Sequence, residues 1–190
     1  MKTALILHGW GGNSSRGWLP WLQKELNSRI FDVFIPNLPN TNTPVLEEQE
    51  EYIEVYVSDF EDGGYIIGHS LGYQLSMNFI ENNNIKNSVI VLVAPSYPGL
   101  DSELGSEVLG DSYDTLKKYY DFKNDFDKIN KLGNKFIVFL SDNDEFINME
   151  SAKKYYSQLQ NVEFREFENK GHFNQASGVL ELEEILDYIK

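Results

Sequence analysis

Apolar residues in this chain fall into short unbroken runs, separated by stretches in which they recur every three or four positions. The runs lie within residues 3–7, 64–67, 88–93 and 135–140 and, interrupted by Asp32, within 31–35, and residues 162–167 alternate instead. Short runs of β-branched and aromatic residues, bounded by Gly, Pro or Asn, predict strands buried in a sheet. Trp18, Trp21, Leu22 and Leu26 form a helical stripe, with Pro20 tolerable in its first turn. Leu71, Leu75, Phe79 and Ile80 form another, ended by Asn82-Asn83-Asn84. In an acidic stretch from Glu47 to Asp62, Tyr52, Val55, Tyr56 and Val57 recur in a helical manner, which predicts a helix with a solvated acidic face. About six strands alternating with helices predict an α/β fold with a mostly parallel sheet, three layers and right-handed crossovers. The first strand is expected between the second and third, so the loops after it and after the third strand open on one crevice.

Chemistry enters at the strand over 64–67. It runs into Gly68-His69-Ser70-Leu71-Gly72 and then directly into the second helical stripe. Strand, G-x-S-x-G and helix in that order form a nucleophile elbow, which lifts a serine hydroxyl out of the backbone. A glycine on each side removes side chains that would crowd a strained turn. The helix start also aims free N–H groups and the positive dipole end at the reacting oxygen.

Two further segments supply what a serine nucleophile needs. Residues 3–7 lead into His8-Gly9-Trp10-Gly11-Gly12, a loop whose backbone can approach a substrate closely. An oxyanion requires two donors, and the expected pair is the Leu71 N–H and the Trp10 N–H, with Gly11 second in line. His8 reads as a brace for this loop. Farther along, the strand over 135–140 ends in Ser141-Asp142-Asn143-Asp144, and the strand over 162–167 leads to Gly171-His172-Phe173-Asn174. The order Ser, Asp, His, each just past a strand, is that of α/β-hydrolases. With three histidines in the chain and two in the loops already described, His172 is the candidate base. Asp142 and Asp144 both remain candidates for the acid.

These motifs together resemble the compact serine hydrolases of the RBBP9/YdeN family within the α/β-hydrolase superfamily. The resemblance rests on His8-Gly9-Trp10-Gly11-Gly12 with Trp18 and Leu22, on Gly68-His69-Ser70-Leu71-Gly72, on Ser141-Asp142-Asn143-Asp144, and on Gly171-His172-Phe173-Asn174 with Gly178. It implies a Ser70-His172-Asp144 triad, the acid following an Asn as in the family. Glu145 stands where the family usually has Pro, and Asp142 stays as the rival. The implied activity is hydrolysis of a small ester-like acyl substrate through an acyl-enzyme. An acyltransferase with the same residues, or a protein-binding module on a hydrolase scaffold, are the alternatives.

Composition narrows the partners. At 190 residues and 21.9 kDa the chain is expected to form one domain over 1–190. A net charge of −14 disfavours nucleic acid and anionic membranes. No apolar run reaches the ~20 residues of a membrane span. The absence of cysteine excludes disulfides and thiolate metal sites. With no signal-peptide pattern, the expected location is cytoplasmic, and no cofactor or metal is expected. Residues 96–133 exceed an ordinary connection. They read as a crossover helix, near 111–122, with a small lid or equally with an elaborated surface loop.

Overall fold

The computed structural model describes residues 2–61, 63–100, 104, 109, 110 and 113–190. In chain order the elements are β1 (Lys2–Leu7), α1 (Leu19–Ser28), β2 (Phe31–Phe34) and α2 (Leu46–Ile53), which tightens into a 3-10 turn (Glu54–Phe60). Then follow β3 (Tyr65–His69), α3 (Gly72–Asn83), β4 (Val89–Val93), α4 (Tyr113–Asp121) and α5 (Phe126–Asn130). The chain closes with β5 (Lys135–Ser141), α6 (Met149–Tyr156), β6 (Val162–Phe167) and a 3-10 turn (Glu183–Asp187). The strands form one sheet in the order β2-β1-β3-β4-β5-β6, with every neighbouring pair parallel. β1 therefore lies between β2 and β3, as the sequence predicted.

The four inner strands are buried along almost their whole length, because helices cover both faces of the sheet. α2, α5 and α6 gather around α3 on one face, where the Tyr73 and Tyr156 rings meet edge to face at 5.8 Å. α1 lies against β2, and its Trp21 and Glu25 border the same groove as Leu186 and Asp187 of the C-terminal turn. The outer strand β6 is half-buried and carries Glu163, Arg165 and Glu166. Lys135 pairs with Glu163 at 3.3 Å and Lys153 with Glu166 at 2.8 Å, charges that discourage further strand pairing.

The acidic helix differs from its expectation. Leu46, Gln49 and Ile53 face inward; of the expected stripe, Tyr56 and Val57 pack half-buried against the core, whereas Tyr52 and Val55 are exposed at 47% and 72%. From Glu54 the chain winds as a 3-10 helix with about three residues per turn, so a stripe read at 3.6 drifts off the buried face. Gln49 takes an inward position because both ends of its amide are bonded, Nε2 to the Pro39 carbonyl at 2.7 Å and Oε1 to the Tyr119 hydroxyl at 2.9 Å. In the long connection, α4 accounts for most of the expected crossover helix. Of the expected lid or surface-loop region within 96–133, residues 101–103, 105–108, 111 and 112 lie outside the described residues.

Ile30 follows the C-cap of α1 with φ of 62°, a conformation that suits glycine and strains a β-branched residue. Its side chain is 72% exposed, so truncation forfeits little packing. Ile30→Gly is expected to stabilise the fold by about 1 kcal/mol, raising Tm by about 2–4 °C in thermal unfolding followed by circular dichroism. An unchanged or lower Tm contradicts this account of the turn.

Candidate active site

β3 delivers Ser70 at the carboxyl end of the sheet with φ of 53°, a left-handed conformation rarely held by serine. Backbone hydrogen bonds maintain it: Ser70 N–H donates to the Val93 carbonyl at 2.9 Å, and the Ser70 carbonyl accepts from Tyr73 N–H at 3.1 Å. The loop after β1 presses on this turn. A Cβ on Gly9 would lie 2.8 Å from the Ser70 Cβ and 3.2 Å from the Leu71 nitrogen, so only glycine fits there.

The loop after β6 brings His172 to the same point. Its Nε2 lies 2.9 Å from Ser70 Oγ, and its Nδ1 lies 2.9 and 3.0 Å from the two Asp144 carboxylate oxygens. An ionised carboxylate only accepts, so Nδ1 carries the proton and Nε2 is left to accept from the Ser70 hydroxyl. The Asp144 side chain is 2% exposed, and its Oδ1 also accepts from the Phe146 and Ile147 N–H groups at 2.9 and 3.1 Å. Ser70, His172 and Asp144 are thus brought together. Asp142 is held elsewhere: its carboxylate accepts from Asn169 N–H at 2.8 Å.

Asp142 belongs to a clamp whose function was not visible beforehand. At the end of β5, the side chains of Ser141, Asp142 and Asn143 accept in turn from the N–H groups of Lys170 (3.0 Å), Asn169 (2.8 Å) and Gly171 (2.8 Å). The residues just before His172 are therefore pinned by the residues just before Asp144. Three short polar residues in succession at a strand end are the signal that would have revealed it. On the far side of His172, the Trp18 indole N–H donates to the Phe173 carbonyl at 2.8 Å.

The other two histidines support the loops. His8 Nε2 accepts from Leu38 N–H at 3.1 Å and Nδ1–H donates to the Gly9 carbonyl at 3.0 Å, bracing the glycine loop as expected. Burial lowers its pKa. His69, read from the sequence only as the variable position of the elbow, has a more definite place. Its Nε2–H donates to the His172 carbonyl at 2.9 Å, and its ring lies 5.2 Å from that of His172 and 5.9 Å from Trp18. Desolvation, reinforced by the neighbouring His172, pushes its pKa down from 6.5 to about 3.

For the oxyanion donors, the structure distinguishes Trp10 from Gly11. Gly11 N–H is taken by the Thr41 carbonyl at 2.8 Å. Among the described residues, the Trp10 and Leu71 N–H groups donate to no backbone carbonyl, and Leu71 caps the free N-terminal end of α3. The Trp10 side chain is fixed by Nε1–H donating to the Asn42 carbonyl at 2.9 Å. A cleft of about 240 Å³ lies over these groups, bordered by Trp10, Arg16, Trp18, Ser70, His172 and Asn174. Among the described residues, no set of three or more His, Cys, Asp or Glu side chains is placed to hold a metal ion, and no helix is long and apolar enough to cross a membrane.

Known proteins match this chain over almost its whole length. YdeN of Bacillus subtilis (strain 168) is 25% identical over 193 residues, covering 99% of this chain and 94% of YdeN. The crystal structure of the ydeN gene product superposes with a TM-score of 0.84 at 24% identity, over 99% and 96% of the two chains. Est1E from Butyrivibrio proteoclasticus, in its structure with ferulic acid bound, superposes with a TM-score of 0.71 at 16% identity, over 98% and 89%. These structural likenesses establish an α/β-hydrolase fold, and the serine hydrolase family model matches residues 4–190. The chain belongs to the serine hydrolase family.

Proposed function

We propose that the protein hydrolyses small ester-like acyl substrates through a covalent intermediate on Ser70. The observation that carries this reading is the unbroken hydrogen-bond chain from Ser70 Oγ through the His172 imidazole to the buried Asp144 carboxylate. Ser70 Oγ attacks the substrate carbonyl carbon while its proton passes to His172 Nε2. The carbonyl oxygen, now an oxyanion, receives the Leu71 and Trp10 N–H groups. Collapse of this intermediate expels the leaving group, which takes the proton from Nε2 and leaves the acyl group on Ser70. Water then attacks the acyl carbon, gives its proton to Nε2, and Ser70 departs with that proton restored. Asp144 holds the imidazole in the required tautomer and balances its charge when protonated.

The surrounding residues suit this chemistry. His69 stays neutral at the pH where an imidazole base operates, so it adds no charge beside His172 and keeps its hydrogen bond to the His172 carbonyl. The open mouth above Ser70 and the modest cleft volume favour small acyl groups.

Ser70→Ala is expected to lower kcat/KM on p-nitrophenyl esters by roughly four orders of magnitude and to abolish fluorophosphonate labelling. Persistent labelling of the variant would overturn the nucleophile. Asp144→Asn is expected to reduce kcat by about 10³–10⁴, because the wrong tautomer is held, whereas Asp142→Asn keeps an oxygen for Asn169 N–H and stays within about threefold. Equal losses in both variants would remove Asp144 from its special place.

The depressed His69 pKa has a separate consequence. The unfolded chain takes up a proton at this site below its ordinary 6.5, while the folded chain resists until about 3. Stability from this source is complete above pH 6.5 and falls as pH drops toward 3, by about 1.4 kcal/mol per pH unit at most. Burial makes His8 act in the same direction, and the raised pKa of Glu50 acts oppositely. Denaturant unfolding between pH 5 and 6.5 is expected to show a shallower pH slope in His69→Asn than in wild type. Matching slopes, or an NMR titration of the His69 ring in that range, would refute the neutral imidazole.

A further inference from the structure

We propose that the cleft selects substrates carrying a single carboxylate remote from the scissile carbonyl, held at the mouth by Arg16 with the side-chain amides of Asn13 and Asn174. The inference rests on the hydrolase reading and adds the substrate class. Apart from the histidines, Arg16 is the one titratable side chain among the described residues bordering the cleft. It is exposed, and its guanidinium makes one long contact, Nη1 to the Gly11 carbonyl at 3.4 Å. Among the described residues no carboxylate lies within ion-pair distance of it. The Asp144 carboxylate faces His172 and is shielded from the cleft.

The two asparagines present the same polarity. Asn13 Oδ1 is committed to Ser15 N–H at 2.9 Å, and Asn174 Oδ1 to the Ser177 N–H at 2.8 Å and its hydroxyl at 3.0 Å. Their acceptor ends are used locally, and among the described residues their NH2 groups have no protein acceptor. The segments bearing them touch: a Cβ on Gly17 would lie 3.6 Å from the Gln175 nitrogen and 4.0 Å from the Asn174 carbonyl carbon. The residues bordering the cleft therefore include a guanidinium and two amide donors. A group that only accepts hydrogen bonds and carries negative charge satisfies all three, and a carboxylate meets both conditions. A single arginine among the described residues of the cleft, on a chain of net charge −14, favours a monoanion over a dianionic phosphate.

Monomethyl adipate and methyl hexanoate present the same ester on chains of equal carbon number, with and without the distal carboxylate. Binding is measured on Ser70→Ala protein, which prevents turnover, through the fluorescence of Trp10 and Trp18 at the cleft. Arg16→Gln is expected to weaken monomethyl adipate binding about fivefold, an effect reduced at high salt, as suits a solvent-exposed charge pair. Methyl hexanoate is expected to bind both proteins alike, which also shows that Arg16→Gln leaves the cleft folded. Equal monomethyl adipate affinity in the two proteins, a parallel loss for methyl hexanoate, or no binding of monomethyl adipate at all would overturn the proposal. Failure of the hydrolase reading is registered separately, by fluorophosphonate labelling and ester turnover of wild type.

Discussion

A Cβ on Gly72 would lie 2.4 Å from the Leu7 carbonyl oxygen, and one on Gly68 would lie 2.5 Å from Ser76 Oγ. With Gly9 against Ser70, three positions without side chains let the end of β1, the end of β3 and the start of α3 converge on one point. This close approach is the constraint on which the site depends. It places Ser70 in a left-handed conformation that the local sequence would not choose, and the surrounding close packing makes relaxation costly. It also requires β1 beside β3, so the sheet order and the exposure of the serine hydroxyl are one structural fact. Larger residues at Gly68 or Gly72 would separate the layers before they altered any chemistry.

The other half of the site is assembled by a different physical means. β5 and β6 are neighbours in the sheet, but register alone does not determine where the loops beyond them go. Short polar side chains do this work. Ser141, Asp142 and Asn143 accept three consecutive backbone N–H groups from the histidine loop, while Asn174 and Ser177 close the loop from its far side. Successive backbone amides of the loop are thereby paired within the protein, and His172 inherits a fixed position relative to Asp144. A hydrogen-bonded triad needs such precision, since its bonds lie near 2.9 Å and tolerate little displacement.

These two kinds of constraint explain what was legible in the sequence. Strands β1 and β3 to β5 announced themselves because burial on both faces imposes unbroken apolar runs. Gly68 and Gly72 were readable because a steric demand for no side chain leaves one residue type. His172 followed from strand order and scarcity of histidines. The choice between Asp142 and Asp144 was harder: both carboxylates follow the same strand, and their separate partners, Asn169 N–H and the His172 ring, are distant in sequence. The acidic stretch was read only in part: Tyr56 and Val57 pack against the core as expected, but Val55 falls outside because the helix changes its winding at Glu54, a shift without a local apolar signature. Gln49 shows the same difficulty, being a polar residue made compatible with burial by Pro39 and Tyr119 from other segments.

His69 illustrates how a position within a motif acquires a physical task from its neighbours. Its ring centre lies 5.2 Å from that of His172. Two imidazolium charges at that separation would repel by about 3 kcal/mol at an effective dielectric constant of ~20. In the proposed reaction His172 becomes positive in each transition state, so a charged neighbour would raise both barriers. Partial desolvation removes that repulsion by keeping His69 neutral, and neutrality leaves Nε2–H as a directed donor to the His172 carbonyl. An apolar ring of similar size would avoid the repulsion as well but would release that carbonyl, while a lysine would reach the carbonyl and restore the charge. Neutral histidine satisfies both demands, with Trp18 packed at its edge and bonded to the carbonyl of the next residue, Phe173.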